Sequence, residues 1–242
     1  MILFAADIHL SPSVPGIVER FLGFLRGPAI DAESLYLLGD VFEYWAGDDD
    51  LDDPFNRRIV AALRELADRG TRLFFVAGNR DFLIGDGFAQ AAGITLLADP
   101  QVLSVPSWQF VLSHGDRFCT QDTAYMAFRE TVRAPAWQAQ FLAQPLALRK
   151  QQIAAIRSES ERTKSAKANS APALMDVDPG TVDDFLRDYG YATLIHGHTH
   201  RPATHDHLVD GIHCQRWVLS DWHDDRAEII VWDGETLSRR AV

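Results

Sequence analysis

The sequence predicts an α/β fold, and three observations predict it. Short, continuous apolar runs recur along the chain, each running into polar residues that can bind metal. Stretches with apolar residues at helical spacing separate the first of these runs, as in βαβ units. The composition, 47% hydrophobic and 24% charged over 242 residues, is that of a folded chain of a length one α/β domain can reach.

The elements follow in chain order. Ile2-Leu3-Phe4-Ala5-Ala6 runs into Asp7-Ile8-His9, and Leu35-Tyr36-Leu37-Leu38 into Gly39-Asp40. Leu73 to Ala77 runs into Gly78-Asn79-Arg80-Asp81, and Phe110 to Ser113 into His114-Gly115-Asp116. Thr193-Leu194-Ile195 runs into His196-Gly197-His198-Thr199-His200. Continuous apolar runs of this length read as strands buried on both faces. Trp217 to Leu219 and Ile229 to Trp232 read as two further strands, taken as antiparallel. Helices are expected from Ile17 to Leu25, from the Asp52/Asp53 cap and Pro54 to Gly70, and from Asp178 or Pro179 through Leu186. From Asp122 to Met175 no strand signal is present, and Ala136 to Arg157 reads as helix. This stretch, about 122–175, is expected to be a helical insertion within a single domain spanning 1–242.

Charge and composition exclude several roles. The net charge of −11 disfavours wrapping nucleic acid. Cys119 and Cys214 cannot make a disulfide framework, so a reducing cytoplasm fits. Met1 to Asp7 lacks the basic start of a signal peptide, and no apolar run is long enough to span a membrane. The charge is unevenly spread. Between Leu146 and Ser170, six basic residues against two acidic ones leave that stretch at +4 and the remainder at −15. Trp137, Phe141, Leu142, Leu146, Leu148, Ile153 and Ile156 lie in or before this basic stretch. A positive, apolar cap suits an anionic lipid or an anionic membrane surface.

The histidines are also uneven: six of nine fall between His196 and His213. The candidate metal ligands are Asp7, His9, Asp40, Asn79, His114, His196 and His198. Asp7 and His9 are two apart, as are His196 and His198, and in extended backbone such pairs point the same way. Carboxylate, imidazole and amide donors without Cys suit Mn²⁺, Fe²⁺ or Zn²⁺ and not a closed structural zinc site. Seven donors suit two ions sharing a bridging carboxylate. Two ions about 3.5–4 Å apart clamp a phosphoryl group and activate water. Asp81 and Asp116 read as residues that orient ligands or pair with Arg, as Asp81 would with Arg80, and His200 as a residue beside the ligands. His205, His207, His213 and His223 fall outside the constellation. The Asp48 to Asp53 run lacks calcium-loop spacing and reads as solvated loop plus helix cap.

Asp7-x-His9, Gly39-Asp40, Gly78-Asn79-Arg80-Asp81, His114-Gly115-Asp116 and His196-Gly197-His198 together resemble the five blocks of calcineurin-like metallophosphoesterases. The resemblance implies a four-layer αββα sandwich of two mixed sheets around a dimetal centre, more closed than the pattern alone would give. Leu38 to Asp49, Gly78 to Leu83, Met175 to Pro179 and His196 to Pro202 are further similar to the UDP-2,3-diacylglucosamine hydrolases within that superfamily. This implies cleavage of the UDP-2,3-diacylglucosamine pyrophosphate to UMP and 2,3-diacylglucosamine 1-phosphate in lipid A synthesis. It implies manganese as cofactor, water attack on the α-phosphorus, and peripheral attachment to the cytoplasmic face of the inner membrane, with no obligate protein partner. The substrate contacts it implies are Asn79, Arg80, Asp122, Ser160, Lys164, Lys167 and His196, with Tyr125 and Arg157 as further positions. Lys164 stands where the family often has Asn.

Arg80, Asn79 and His114 are the expected catalytic residues. Many metallophosphoesterases have His after the motif Asn, able to protonate an alkoxide. Arginine cannot act as an acid near neutral pH but holds phosphate and neutralises charge. A phosphate leaving group needs little acid help, so Arg80 favours pyrophosphate cleavage. The alternatives are another metallophosphoesterase acting on a soluble nucleotide or phosphodiester, and a non-catalytic scaffold that would not need the ligands.

Overall fold

The structure is a computed structural model in which the backbone of residues 1–106, 108–170 and 176–242 and the side chains outside 159–175 and 107 are described. Two mixed sheets face each other, with helices on both outer faces. The first carries β1 (Ile2–Ala5), β2 (Ser34–Leu37), β3 (Arg72–Val76), β4 (Ile94–Leu97), β10 (Glu228–Trp232) and β11 (Leu237–Ala241) in the order β11-β10-β1-β2-β3-β4. The second carries β5 (Gln101–Val105), β6 (Trp108–Ser113), β7 (Thr193–His196), β8 (Ala203–Val209) and β9 (Ile212–Val218) in the order β5-β6-β7-β9-β8. β1 to β4 are parallel, with Leu3 opposite Leu35 and Leu35 opposite Leu73. β10 is antiparallel to β1, as expected. β9 departs from expectation on one side, because it pairs parallel to β7 and antiparallel to β8.

The two-residue alternation of strands builds the layers. On β1, Leu3 and Ala5 pack outward against α1 (Pro15–Arg26) and α2 (Pro54–Asp68), among Phe21, Leu22, Ile59 and Leu63. Ile2 and Phe4 point inward, where Phe110, Leu112, Ile195 and Trp232 close the space between the sheets. Phe4 meets Phe110 edge-on at 6.0 Å, and Phe110 meets Trp232 at 5.2 Å. On the far face, Val111 and Leu194 pack on Val182, Phe185 and Leu186 of α7 (Pro179–Asp188). The architecture is therefore the αββα sandwich.

Caps set the helix starts where the sequence placed them. Asp53 accepts from the Phe55 N–H ahead of α2, and Asp178 accepts from the Thr181 N–H ahead of α7, each with proline in the first turn. α3 (Asp86–Ala92), β4, β5, β8 and β11 were not foreseen. β8 alternates half-buried and exposed residues through Thr204, His205, Asp206 and His207, so no apolar run marks it. α4 (Thr123–Arg133), α5 (Pro135–Leu142) and α6 (Leu146–Ser170) lie between β6 and α7. The helix read as one from Ala136 to Arg157 is two, interrupted before Pro145, whose ring cannot continue a helix.

Candidate metal centre and its cap

The parallel strands β1, β2, β3, β6 and β7 end at the same edge, and the loops that follow carry the donors. Asp7, His9, Asp40, His198 and His200 all have left-handed backbone, with φ between 53° and 69°. Such φ values are uncommon outside glycine and cluster where function over-determines the backbone. They change the reason the pairs converge. Asp7 and His9 do not lie on extended backbone, because β1 has ended at Ala5. Glycines let the loops approach: a Cβ on Gly78 would stand 2.2 Å from Asp40 Oδ1, and one on Gly197 would stand 2.3 Å from Asp7 Oδ2.

The donors form two sets that meet at carboxylates. Asp7, His9 and His200 make one set, and Asp7, Asp40 and His114 the other. Asp40 reaches both ways, with Oδ2 4.0 Å from His9 Nε2 and Oδ1 3.7 Å from His114 Nε2. Asn79 Oδ1 lies 2.9 Å from both His114 Nε2 and His198 Nδ1. His9 Nε2 and His200 Nε2 face each other at 3.2 Å. Asp7 Oδ1 is buried without a hydrogen bond and faces His200 Nε2 at 3.6 Å. Buried carboxylates with lone pairs turned on one another and on imidazole nitrogens are costly unless a cation joins them. The donor set therefore fits divalent ions, with Asp40 placed to bridge.

His196 does not join this set. It is the last residue of β7, and its extended backbone sends the ring away from His198. Its Nδ1 lies 2.8 Å from the Gly197 carbonyl and its Nε2 3.2 Å from Arg216 Nη1. Burial and the Arg216 charge push its pKa down to about 3. The structure thus corrects the ligand reading: His198 and His200 face the centre, and His196, expected as ligand and substrate contact, fills the space beside Phe118.

Surrounding groups hold the donors. Asp81, fully buried, accepts from the N–H of Val41 at 2.8 Å, Gly78 at 2.9 Å and Asp40 at 3.2 Å, which clamps two ligand loops together. Burial and the Asp40 charge raise its pKa to about 6. Asp116 accepts from Tyr125 Oη at 2.9 Å and Arg129 Nε at 2.8 Å, and Arg133 Nη2 lies 3.6 Å away. These contacts draw α4 onto the centre. Burial acts to lower the His114 pKa, but Asp40, Asp116 and Asp7 raise it to about 9. Burial acts to raise the Asp7 carboxyl, yet the histidines around it hold it well below the usual range. Cys119 and Cys214 are buried, and burial pushes the Cys119 thiol up to about 12.

Comparison with known proteins agrees with this geometry. Residues 1–202 match the model of the calcineurin-like phosphoesterases. The chain belongs to the calcineurin-like phosphoesterase family. It is 51% identical to a UDP-2,3-diacylglucosamine hydrolase of Aromatoleum aromaticum over 96% of this chain and 93% of that one. Identity is 47% to the protein of that name from Chromohalobacter salexigens, over 93% and 89% of the two chains. It is 43% to that from Xanthomonas oryzae pv. oryzae, over 99% of both. The chain belongs with these relatives within the family.

In this phosphoesterase the expected substrate positions fall around the centre unevenly. Arg80 donates its backbone N–H to Asp40 Oδ1 at 2.8 Å, and its guanidinium lies 3.6 Å from Glu43, not on Asp81. Tyr125 stacks on His198 at 5.8 Å, and Asp122 caps α4 by accepting from the Tyr125 N–H. Arg157 meets Glu43 at 2.5 Å and lies over the Tyr44 ring. Ser160, Lys164 and Lys167 are on α6 with side chains outside the described residues.

The basic stretch is not an open positive face along its first half. Arg149 is 1% exposed, and its guanidinium donates to the Ala46 and Gln144 carbonyls and pairs with Asp49. Lys150 pairs with Asp50 at 2.7 Å and Asp53 at 3.6 Å. The acidic run is therefore a dock for α6 as well as a helix cap, and Asp50 is buried where solvent was expected. Large apolar side chains do stay exposed on the three cap helices: Phe128, Leu142, Leu148 and Ile156. Trp137 stacks on Phe141 at 4.8 Å and lies 6.3 Å from Phe82. Glu43 was missed in the sequence. Its signal was position alone, three residues past Asp40.

Proposed function

We propose that this phosphoesterase hydrolyses the pyrophosphate of UDP-2,3-diacylglucosamine to UMP and 2,3-diacylglucosamine 1-phosphate, a step of lipid A synthesis. The observation that carries the reading is a donor cluster approached by α4 through Tyr125 on His198 and by α6 through Arg157 on Glu43, with exposed apolar residues on α4–α6 that suit acyl chains, in a chain 43–51% identical to hydrolases of that name. Asp7, His9, Asp40 and His200 would hold one divalent ion, and Asp40, Asn79, His114 and His198 the other. Manganese is the metal proposed, on the family resemblance. When bound, such a pair supplies Lewis-acid stabilisation of phosphoryl charge and a water that is nucleophilic at neutral pH.

The chain's own groups do the rest. The Arg80 guanidinium stabilises the charge that grows on the departing sugar phosphate. No acid is required, because that leaving group is a phosphate. Arg157, Ser160, Lys164 and Lys167 of α6, with Asp122 and Tyr125 of α4, are proposed to orient the lipid sugar. His198 takes the substrate position expected of His196. Among the described residues no helix is long and apolar enough to cross a membrane. Attachment to the inner-membrane surface from the cytoplasm is proposed through the exposed apolar residues of the cap.

The test is turnover of UDP-2,3-diacylglucosamine and its deacylated analogue with Mn²⁺, with and without chelator. UMP release from the acylated substrate alone, abolished by chelation, is the expected result. Equal turnover of both substrates would refute the lipid assignment and favour a soluble substrate.

A further inference from the structure

Glu43 sits on the loop after β2, and its backbone is pinned beside the β1 loop. Its N–H donates to the Leu10 carbonyl at 3.0 Å, and Phe42 bridges to Leu10. The two carboxylate oxygens face different partners. Oε2 lies 3.0 Å from His9 Nδ1. Oε1 lies 2.5 Å from Arg157 Nη2 and 3.6 Å from Arg80 Nη1. The other imidazole nitrogen, His9 Nε2, faces the donor set at Asp40 and His200.

We infer that Glu43 is a positioning residue that couples one metal ligand to the two guanidinium groups proposed to hold the substrate. The Glu43 carboxylate and the His9 ring are in charge contact and out of hydrogen-bond alignment, and a carboxylate this close favours the proton on Nδ1 and leaves the Nε2 lone pair for the ion, the role of carboxylates behind metal-bound histidines. The same carboxylate tethers two long side chains from different elements, the loop after β3 and helix α6. One residue therefore sets the His9 tautomer and the placement of Arg80 and Arg157 together. This rests on the ligand and substrate reading given above.

Two variants separate the two tasks. The glutamine of Glu43→Gln still offers His9 Nδ1 an oxygen but carries no charge for the guanidiniums. Mn²⁺ titrated calorimetrically into metal-stripped protein should show both ions binding within about threefold of wild type. Its KM for UDP-2,3-diacylglucosamine at saturating Mn²⁺ should rise about tenfold, the worth of one charge-assisted hydrogen bond. Glu43→Ala should weaken one of the two ions by about 10–100-fold and raise KM as well. Unchanged Mn²⁺ affinity in Glu43→Ala, or equal loss of affinity in both variants, overturns the inference. If the alanine variant does not fold, the glutamine variant alone decides, and an unchanged KM overturns it. If wild type does not turn over this substrate, the function reading fails while the Mn²⁺ titration still decides the His9 role.

Discussion

Replacing Arg149 with alanine should release the cap while leaving the sandwich folded. The side chain is 1% exposed, so truncation removes two buried methylenes, worth about 1.6 kcal/mol. It also leaves the buried Ala46 carbonyl without a donor, at about 1–3 kcal/mol, and returns the half-buried Gln144 carbonyl to water at about 1 kcal/mol. The ion pair with Asp49 adds below about 1 kcal/mol, because the Asp49 side chain is 57% exposed and screened. The sum is about 5 kcal/mol, nearly all from packing and carbonyl contacts. Asp49→Asn should therefore destabilise by less than about 1 kcal/mol. Hydrogen exchange reports the opening of α5 and α6 separately from that of β1–β3, and urea unfolding reports the whole. Equal destabilisation by Arg149→Ala and Asp49→Asn, or loss of the difference in 1 M salt (an approximate screening limit of ~3 Å), would refute the reasoning.

Other outcomes follow from the same geometry. His200→Ala should bind one divalent ion fewer and lose more than about 100-fold in metal-dependent turnover, whereas His196→Ala should keep two ions and lose about 2–5 kcal/mol of stability by emptying its buried site; calorimetric stoichiometry distinguishes them. Arg80→Ala should lower kcat more than it raises KM, and a loss of only a few-fold would contradict its role at the leaving group. His114 has a folded pKa raised from 6.5 to about 9, so it stabilises the metal-free protein below about pH 6.5 and that contribution fades as pH rises through about 9. Metal binding requires the neutral ring, so loading Mn²⁺ at pH 7 should expel protons, measurable in buffers of different ionisation enthalpy. Proton release that persists unchanged above about pH 10 would contradict this. Phe110→Ala should cost about 3–5 kcal/mol, read by urea unfolding, because Phe110 fills the space between the sheets.

Much of this was legible in the chain. The five strand-end blocks, their donor types and the α/β class could be read because buried strands need unbroken apolar runs and metal centres need particular donors, whereas the closed αββα sandwich came from the family resemblance of those blocks. Strands such as β8 were hidden because an edge strand with one wet face shows alternation among polar residues, not an apolar run. The acidic loop was read as solvated because charge alone does not reveal a partner about a hundred residues away, as Asp49 and Arg149 are.

The sequence by itself determined which kinds of atoms gather and in what order along the chain. Only the tertiary structure decided which of three closely spaced histidines face the centre. Two-residue spacing aims side chains together only on extended backbone, but the strand stops at His196, and His198 and His200 turn inward on left-handed backbone. Backbone conformation at a strand end depends on what packs against it, here Gly115, Asp7 and Arg216 from distant segments. Glu43 gained its place for the same reason. A carboxylate three residues past a ligand is unremarkable until folding brings His9, Arg80 and Arg157 around it.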